Sequence, residues 1–159
     1  VSASERYFSC AAEILEEFPA VRIVPWDERD GLLRWNTIYI PRDLVGTGDG
    51  IILLRHELVH LRDRRRLAWV GFWLGYWCLL PTIFTLRAVF EWRAYFETLR
   101  AMRDERGVIL GSELRAIADK FVSRDYWWMF PFRSFVLARL FAARDRILSE
   151  SAPGRGAKG

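Results

Sequence analysis

Residues 51 to 66 read IILLRHELVHLRDRRR. The stretch holds no proline or glycine, and it follows a loop, GTGDG (46 to 50), whose Asp49 is placed to cap a helix. Leu53, His56, Val59, His60 and Asp63 recur at helical spacing, with Arg55 and Arg62 on the other side, so a helix is expected here. Inside it, His56-Glu57-Leu58-Val59-His60 forms the pattern H-E-x-x-H. On a helix, positions i and i+4 share a face, so two imidazoles can approach one Zn²⁺ from the same side. Glu57 points off that axis but stays close enough to take a proton from a metal-bound water, whose pKa zinc lowers towards about 7. The chain has two His and 11 Glu. Random placement yields this motif on the order of once in a thousand such compositions. The competing reading is a pair of histidines on a helix surface.

A catalytic zinc takes three protein ligands and keeps a fourth position open. No other His exists, and Cys10 and Cys78 are far from the motif in sequence, so a carboxylate is expected as third ligand. Asp63 shares the motif's face but lies about 10 Å along the axis from His56, which suits a supporting or surface role better. Residues 87 to 106 read as a second helix with an inward stripe of Ala88, Glu91, Tyr95, Leu99 and Met102. A carboxylate in an apolar stripe is costly to bury unless it meets a cation. Glu91 is therefore the leading candidate. A salt bridge to Arg87 is its competing use, and Glu97, on another face, is the weaker alternative ligand.

Outward from the motif, residues 4 to 18 predict a helix capped by Ser4, with Tyr7, Phe8, Ala11, Ile14, Leu15 and Phe18 on one stripe. Residues 21 to 26 (VRIVPW) suit a short strand kept at an edge by Pro25, and 33 to 40 (LRWNTIYI) a better one. Beyond Gly107, a helix is expected from Ser112 to about Ser123, and another over 134 to 149 with Val136, Leu137, Leu140, Phe141, Ile147 and Leu148 inward. Between them, 126 to 132 (YWWMFPF) is an aromatic knot. The tail 151 to 159 is rich in Gly, Pro and Ser and is expected to be disordered.

The order of strand NTIYIP (Asn36 to Pro41), helix HELVH and a second helix carrying EWRAY (Glu91 to Tyr95) resembles the zincin metallopeptidases, above all the gluzincin branch, whose third ligand is a downstream Glu. The resemblance covers residues 33 to 97. It implies that the strand before the motif runs along the cleft, so that Thr37 to Ile40 would pair with an extended peptide by β-augmentation. Gluzincins carry an Asp four residues after that Glu, where this chain has Tyr95. Tyr95, one turn from Glu91, is a candidate hydrogen-bond donor to an oxyanion. The alternative is a core tyrosine with a satisfied hydroxyl.

Residues 67 to 86 (LAWVGFWLGYWCLLPTIFTL) carry no charge, and twenty such residues are long enough to span a bilayer. A single crossing would put the histidines and Glu91 on opposite sides. Arginines flank both ends (62, 64, 65 and 66 before; 87 and 93 after), which favours both ends on one side. A hairpin broken near Pro81 is expected, either buried or dipping into a leaflet. Trp69, Trp73 and Trp77, spaced by four, and the knot at 126 to 132 suit core or membrane-surface contact.

The chain's 159 residues, 52% apolar and 28% charged, allow one domain, expected over 1 to 150. Two Cys exclude a disulfide-dense scaffold or a zinc ribbon. The net charge of +4, almost all of the basic residues being Arg, comes with no nucleic-acid motif, so no nucleic-acid partner is expected. Residues 1 to 17 carry four Glu and do not resemble a secretory signal. The expected address is cytoplasmic, with peripheral or re-entrant contact at the inner membrane through the apolar run. The expected fold is α+β, mostly helical and zincin-like, with a small edge-exposed sheet. The expected function is zinc-dependent hydrolysis of a peptide or protein, with His56, His60 and Glu91 on the metal and Glu57 as general base. The alternative is a membrane-associated, zincin-like interaction protein whose metal site is structural or degenerate.

Overall fold

A computed structural model describes residues 1–28, 31–67, 83–123 and 132–150. The apolar hairpin at Pro81, most of the aromatic knot and the expected disorder of the tail lie outside them. The fold is α+β and mostly helical. In chain order its elements are α1 (Ala3–Glu17), β1 (Arg22–Trp26), β2 (Leu32–Arg34), β3 (Thr37–Pro41), a 3-10 turn (Arg42–Leu44), α2 (Gly48–Arg66), α3 (Ile83–Arg106), α4 (Gly111–Val122) and α5 (Arg133–Glu150).

The helix starts differ from the expected caps. Ser2, not Ser4, caps α1, and its hydroxyl and Glu5 satisfy each other's backbone amides. Thr47, not Asp49, caps α2 by accepting from the Gly50 amide at 3.1 Å. Gly50 is required there, because a Cβ would stand 2.2 Å from the Leu44 carbonyl. Only Tyr7 and Ile14 of the expected α1 stripe are buried, whereas Phe8 and Leu15 are exposed.

The stretch expected as one strand, 33 to 40, is two. A turn at Trp35 and Asn36 separates antiparallel β2 and β3, pairing Arg34 with Thr37. Trp35 takes φ 55, a left-handed backbone that costs a non-glycine residue roughly 1–2 kcal/mol. The sheet order is β1-β3-β2, with β1 parallel to β3. Pro25 thus lies on an edge strand, as its missing amide requires. β3 is the central strand, hydrogen-bonded on both sides, which corrects the expectation that Thr37 to Ile40 offer a free edge to a peptide. The free edges belong to β1 and β2.

Two cores meet at α2. On one flank Ile51, Leu54 and Leu61 pack with Tyr7, Ile14, Val21, Ile38 and Ile40 from α1 and the sheet. On the other, Ile52 joins Tyr95, Leu99, Leu114, Phe121, Val136, Leu140 and Ile147 from α3, α4 and α5. A helix buried on two flanks needs apolar residues on both, which leaves the α3-facing stripe for His56, His60 and Asp63. No described helix is long and apolar enough to cross a membrane.

Glu17 ties the end of α1 to the end of α2. It accepts from Arg62 at 2.7 Å and Arg65 at 2.7 Å, and the Arg62 hydrogen bond foremost holds its carboxyl below the ordinary value of 4.5. A depressed carboxylate stabilises the fold above its unfolded pKa, and that gain is lost as pH falls through the folded one. Glu17→Gln is therefore expected to cost about 0.5–1 kcal/mol near neutral pH, as a partly exposed pair does. In strong acid it should cost nothing, as urea unfolding at the two pH values would show.

Candidate metal centre

α2 and α3 pack along each other and bring three ligand atoms together. His56 Nε2 and His60 Nε2 stand 3.3 Å apart. Glu91 Oε2 lies 3.8 Å from each. All three fall within 4.8 Å of one another. Ligands on a tetrahedral zinc at about 2.0–2.1 Å stand roughly 3.3–3.4 Å apart, so the cluster would need to contract by less than half an ångström at Glu91. At these distances the motif helix and Glu91 do not lie on opposite faces of a bilayer. The stripe inferred for α3 is the buried one: Ala88, Glu91, Tyr95, Leu99 and Met102 are all buried.

Hydrogen bonding sets the chemistry of His56. Its Nδ1 lies 2.9 Å from Thr98 Oγ1, and that hydroxyl donates to the Ala94 carbonyl at 3.1 Å. With its proton so committed, Thr98 accepts from Nδ1–H, which leaves the lone pair of His56 on Nε2, facing His60 and Glu91. Burial, helped by the charges of His60 and Lys120, pulls the His56 pKa well below 6.5, so the ring stays neutral. A neutral imidazole with its lone pair aimed at a second imidazole and a carboxylate is an electron-rich cluster that could hold a divalent cation.

Thr98 was not among the residues singled out from the sequence. The available signal was its spacing, seven after Glu91 on the same stripe. Thr98→Val keeps the shape but removes the acceptor for Nδ1–H. It is expected to weaken zinc affinity about 10- to 100-fold with the fold intact, as competition with a chelating dye would measure.

Glu57 is buried beside the cluster. Burial above all, with Glu91 adding to it against His60 and Lys120, raises its carboxyl from 4.5 to about 7. A base with a pKa near the working pH is suited to proton transfer. Lys120 of α4, one of two lysines in the chain, is the other charge acting on both His56 and Glu57. The Tyr95 ring packs edge-on to His56, with centroids 4.9 Å apart, and against Phe121 at 5.6 Å. It sits at the site and in the core at once.

The alternative ligands are engaged elsewhere. Glu97 accepts from Arg55 Nε at 2.8 Å. Asp63 is 1% exposed, which corrects the surface reading of it. Its Oδ1 lies 2.6 Å from Arg93 Nη1, although neither oxygen accepts a well-angled hydrogen bond. Burial accordingly raises its carboxyl above the ordinary value, against the pull of Arg93.

No family model, curated protein or solved structure matches this chain.

Proposed function

We propose that the chain is a zinc-dependent metallopeptidase, with His56, His60 and Glu91 as the metal's protein ligands and Glu57 as general base. The observation that carries this reading is the convergence of two imidazole nitrogens and one carboxylate oxygen, on two helices, beside a buried carboxyl held near neutrality. Zinc in this donor set would supply a Lewis acid for a carbonyl oxygen and a water of lowered pKa. Nitrogen and oxygen donors in a three-ligand set fit that ion.

The chain's own residues divide the remaining work. Thr98 holds the His56 tautomer. Glu57 takes a proton on its carboxylate and returns it to the leaving amine, a transfer its raised pKa favours. Tyr95 walls the site next to His56, and its hydroxyl is the candidate partner for developing charge on the substrate. With β3 closed on both sides, an extended peptide would have to pair with the outer edge of β1 or β2. The β2 edge is favoured by Gly31, just before it, which abuts Leu53, one turn ahead of His56. The test is metal analysis of the purified chain by mass spectrometry, then hydrolysis of a mixed peptide library before and after chelation. Zinc at one per chain with chelator-sensitive cleavage supports the reading. A metal-free chain that cannot be loaded removes it.

A further inference from the structure

The turn between β2 and β3 places tryptophan where a two-residue hairpin with positive φ at its first position usually has glycine. Trp35 is 60% exposed at that turn. Its conformation is held from α2, because Arg64 donates to the Trp35 carbonyl and, at 2.7 Å, to Asn36 Oδ1. The Arg22 amide donates to the Asn36 carbonyl at 2.7 Å. Arg22, Trp35, Asn36 and Thr37 line one hollow.

The arginines here differ from most of the others. Arg6, Arg55, Arg62, Arg65, Arg93 and Arg106, among others, each meet a carboxylate. Arg22, Arg34 and Arg64 meet none among the described residues, and they lie together at this turn, whereas Arg115 and Arg139, which also meet none, stand on α4 and α5. Arg22 and Arg34 are exposed. Arg34 adjoins Trp35. The uncharged stretch starts at Leu67, itself 43% exposed, just past Arg66.

We propose that the Trp35 turn, with Arg22, Arg34 and Arg64 around it, is a docking surface for an anionic lipid bilayer. Charge complementarity selects this occupant: cations without acidic partners surround the turn, and juxtamembrane basic residues are drawn to anionic headgroups. Tryptophan favours the bilayer interface, where one part of the ring is wet and the rest apolar. A single-stranded nucleic acid is read by a charged groove with several stacking rings, whereas this surface offers one ring at the tip of a turn. The surface does not depend on the metal centre or on the proposed reaction.

The experiment is co-sedimentation of the full chain with vesicles of phosphatidylcholine alone and of phosphatidylcholine mixed with phosphatidylglycerol. Binding is expected on the mixed vesicles, to weaken with added salt, and to be slight on the neutral ones. Arg22→Gln and Arg34→Gln should each lower it about fivefold, the worth of one basic residue near an anionic surface. Trp35→Gly should lower it by roughly tenfold without lowering the melting temperature, because glycine takes a positive φ unstrained. That pairing separates lost docking from misfolding. Equal binding to both vesicle types would overturn the proposal. So would wild-type binding by both Trp35→Gly and the Arg22→Gln, Arg34→Gln double variant, or tighter binding to single-stranded RNA or an acidic polypeptide than to the mixed vesicles.

Discussion

His60→Ala is expected to take zinc from about one per chain to background, and His56→Ala to do the same. Each removes one of two nitrogens that face each other across 3.3 Å, leaving a carboxylate and one imidazole, too few donors to hold the ion. Stability should fall with the metal. A ligand at a thousand times its dissociation constant contributes about 4 kcal/mol to the folded state, which in a chain of this size is roughly 8–16 °C of melting temperature. In excess chelator the wild type and both variants should melt within a few degrees of each other. Full zinc occupancy in either variant would remove the assignment of these histidines.

The cluster of His56, His60 and Glu91 was legible because its signals are matters of residue type and spacing. H-E-x-x-H needs only a helix to become geometry, and Glu91 stood out as a charge in an otherwise apolar stripe. Thr98 was harder to read, because a hydroxyl inside a helix usually bonds back to its own helix. Thr98 does so to Ala94, and its second bond exists only because α2 lies opposite. Strand order was not legible either. The β-branched and aromatic run TIYIP announces a strand, and four of its five residues are buried, whereas the neighbours of β3 are set by how the chain returns after β1. Nothing in Trp35-Asn36 announces a positive φ, since the turn is imposed by Arg64 from a helix some thirty residues away. In α1 the width of the buried stripe depended on what packed against it, so Tyr7 and Ile14 went in while Phe8 and Leu15 stayed out.

Glu57→Gln is expected to keep the metal and lose the reaction. The amide has nearly the shape of the carboxyl and fills the same buried space, so zinc content and melting temperature should stay close to wild type. It cannot accept a proton, and general-base catalysis accounts for about 10²–10⁴ in rate. The turnover of a peptide identified from the library should drop by that factor with little change in KM. The same variant separates the two functional readings, because a purely structural metal site has no use for a base and would be indifferent to it. Turnover at wild-type rates would mean that another group takes the proton, with the metal ligands left standing.

The placement of the ligands on two helices has a topological consequence. A cation shared by His60 and Glu91 would join points of the chain with thirty residues between them, and so would act as a reversible cross-link. In chain-entropy terms, closing a loop of that length is worth about 3–4 kcal/mol, comparable to a disulfide. Residues 67 to 86, the one long uncharged stretch, lie wholly within the loop. A chelator would act on this chain as a reductant acts on a disulfide-bonded one. How firmly α2 is held to α3 would then be set by the free-metal concentration around the chain.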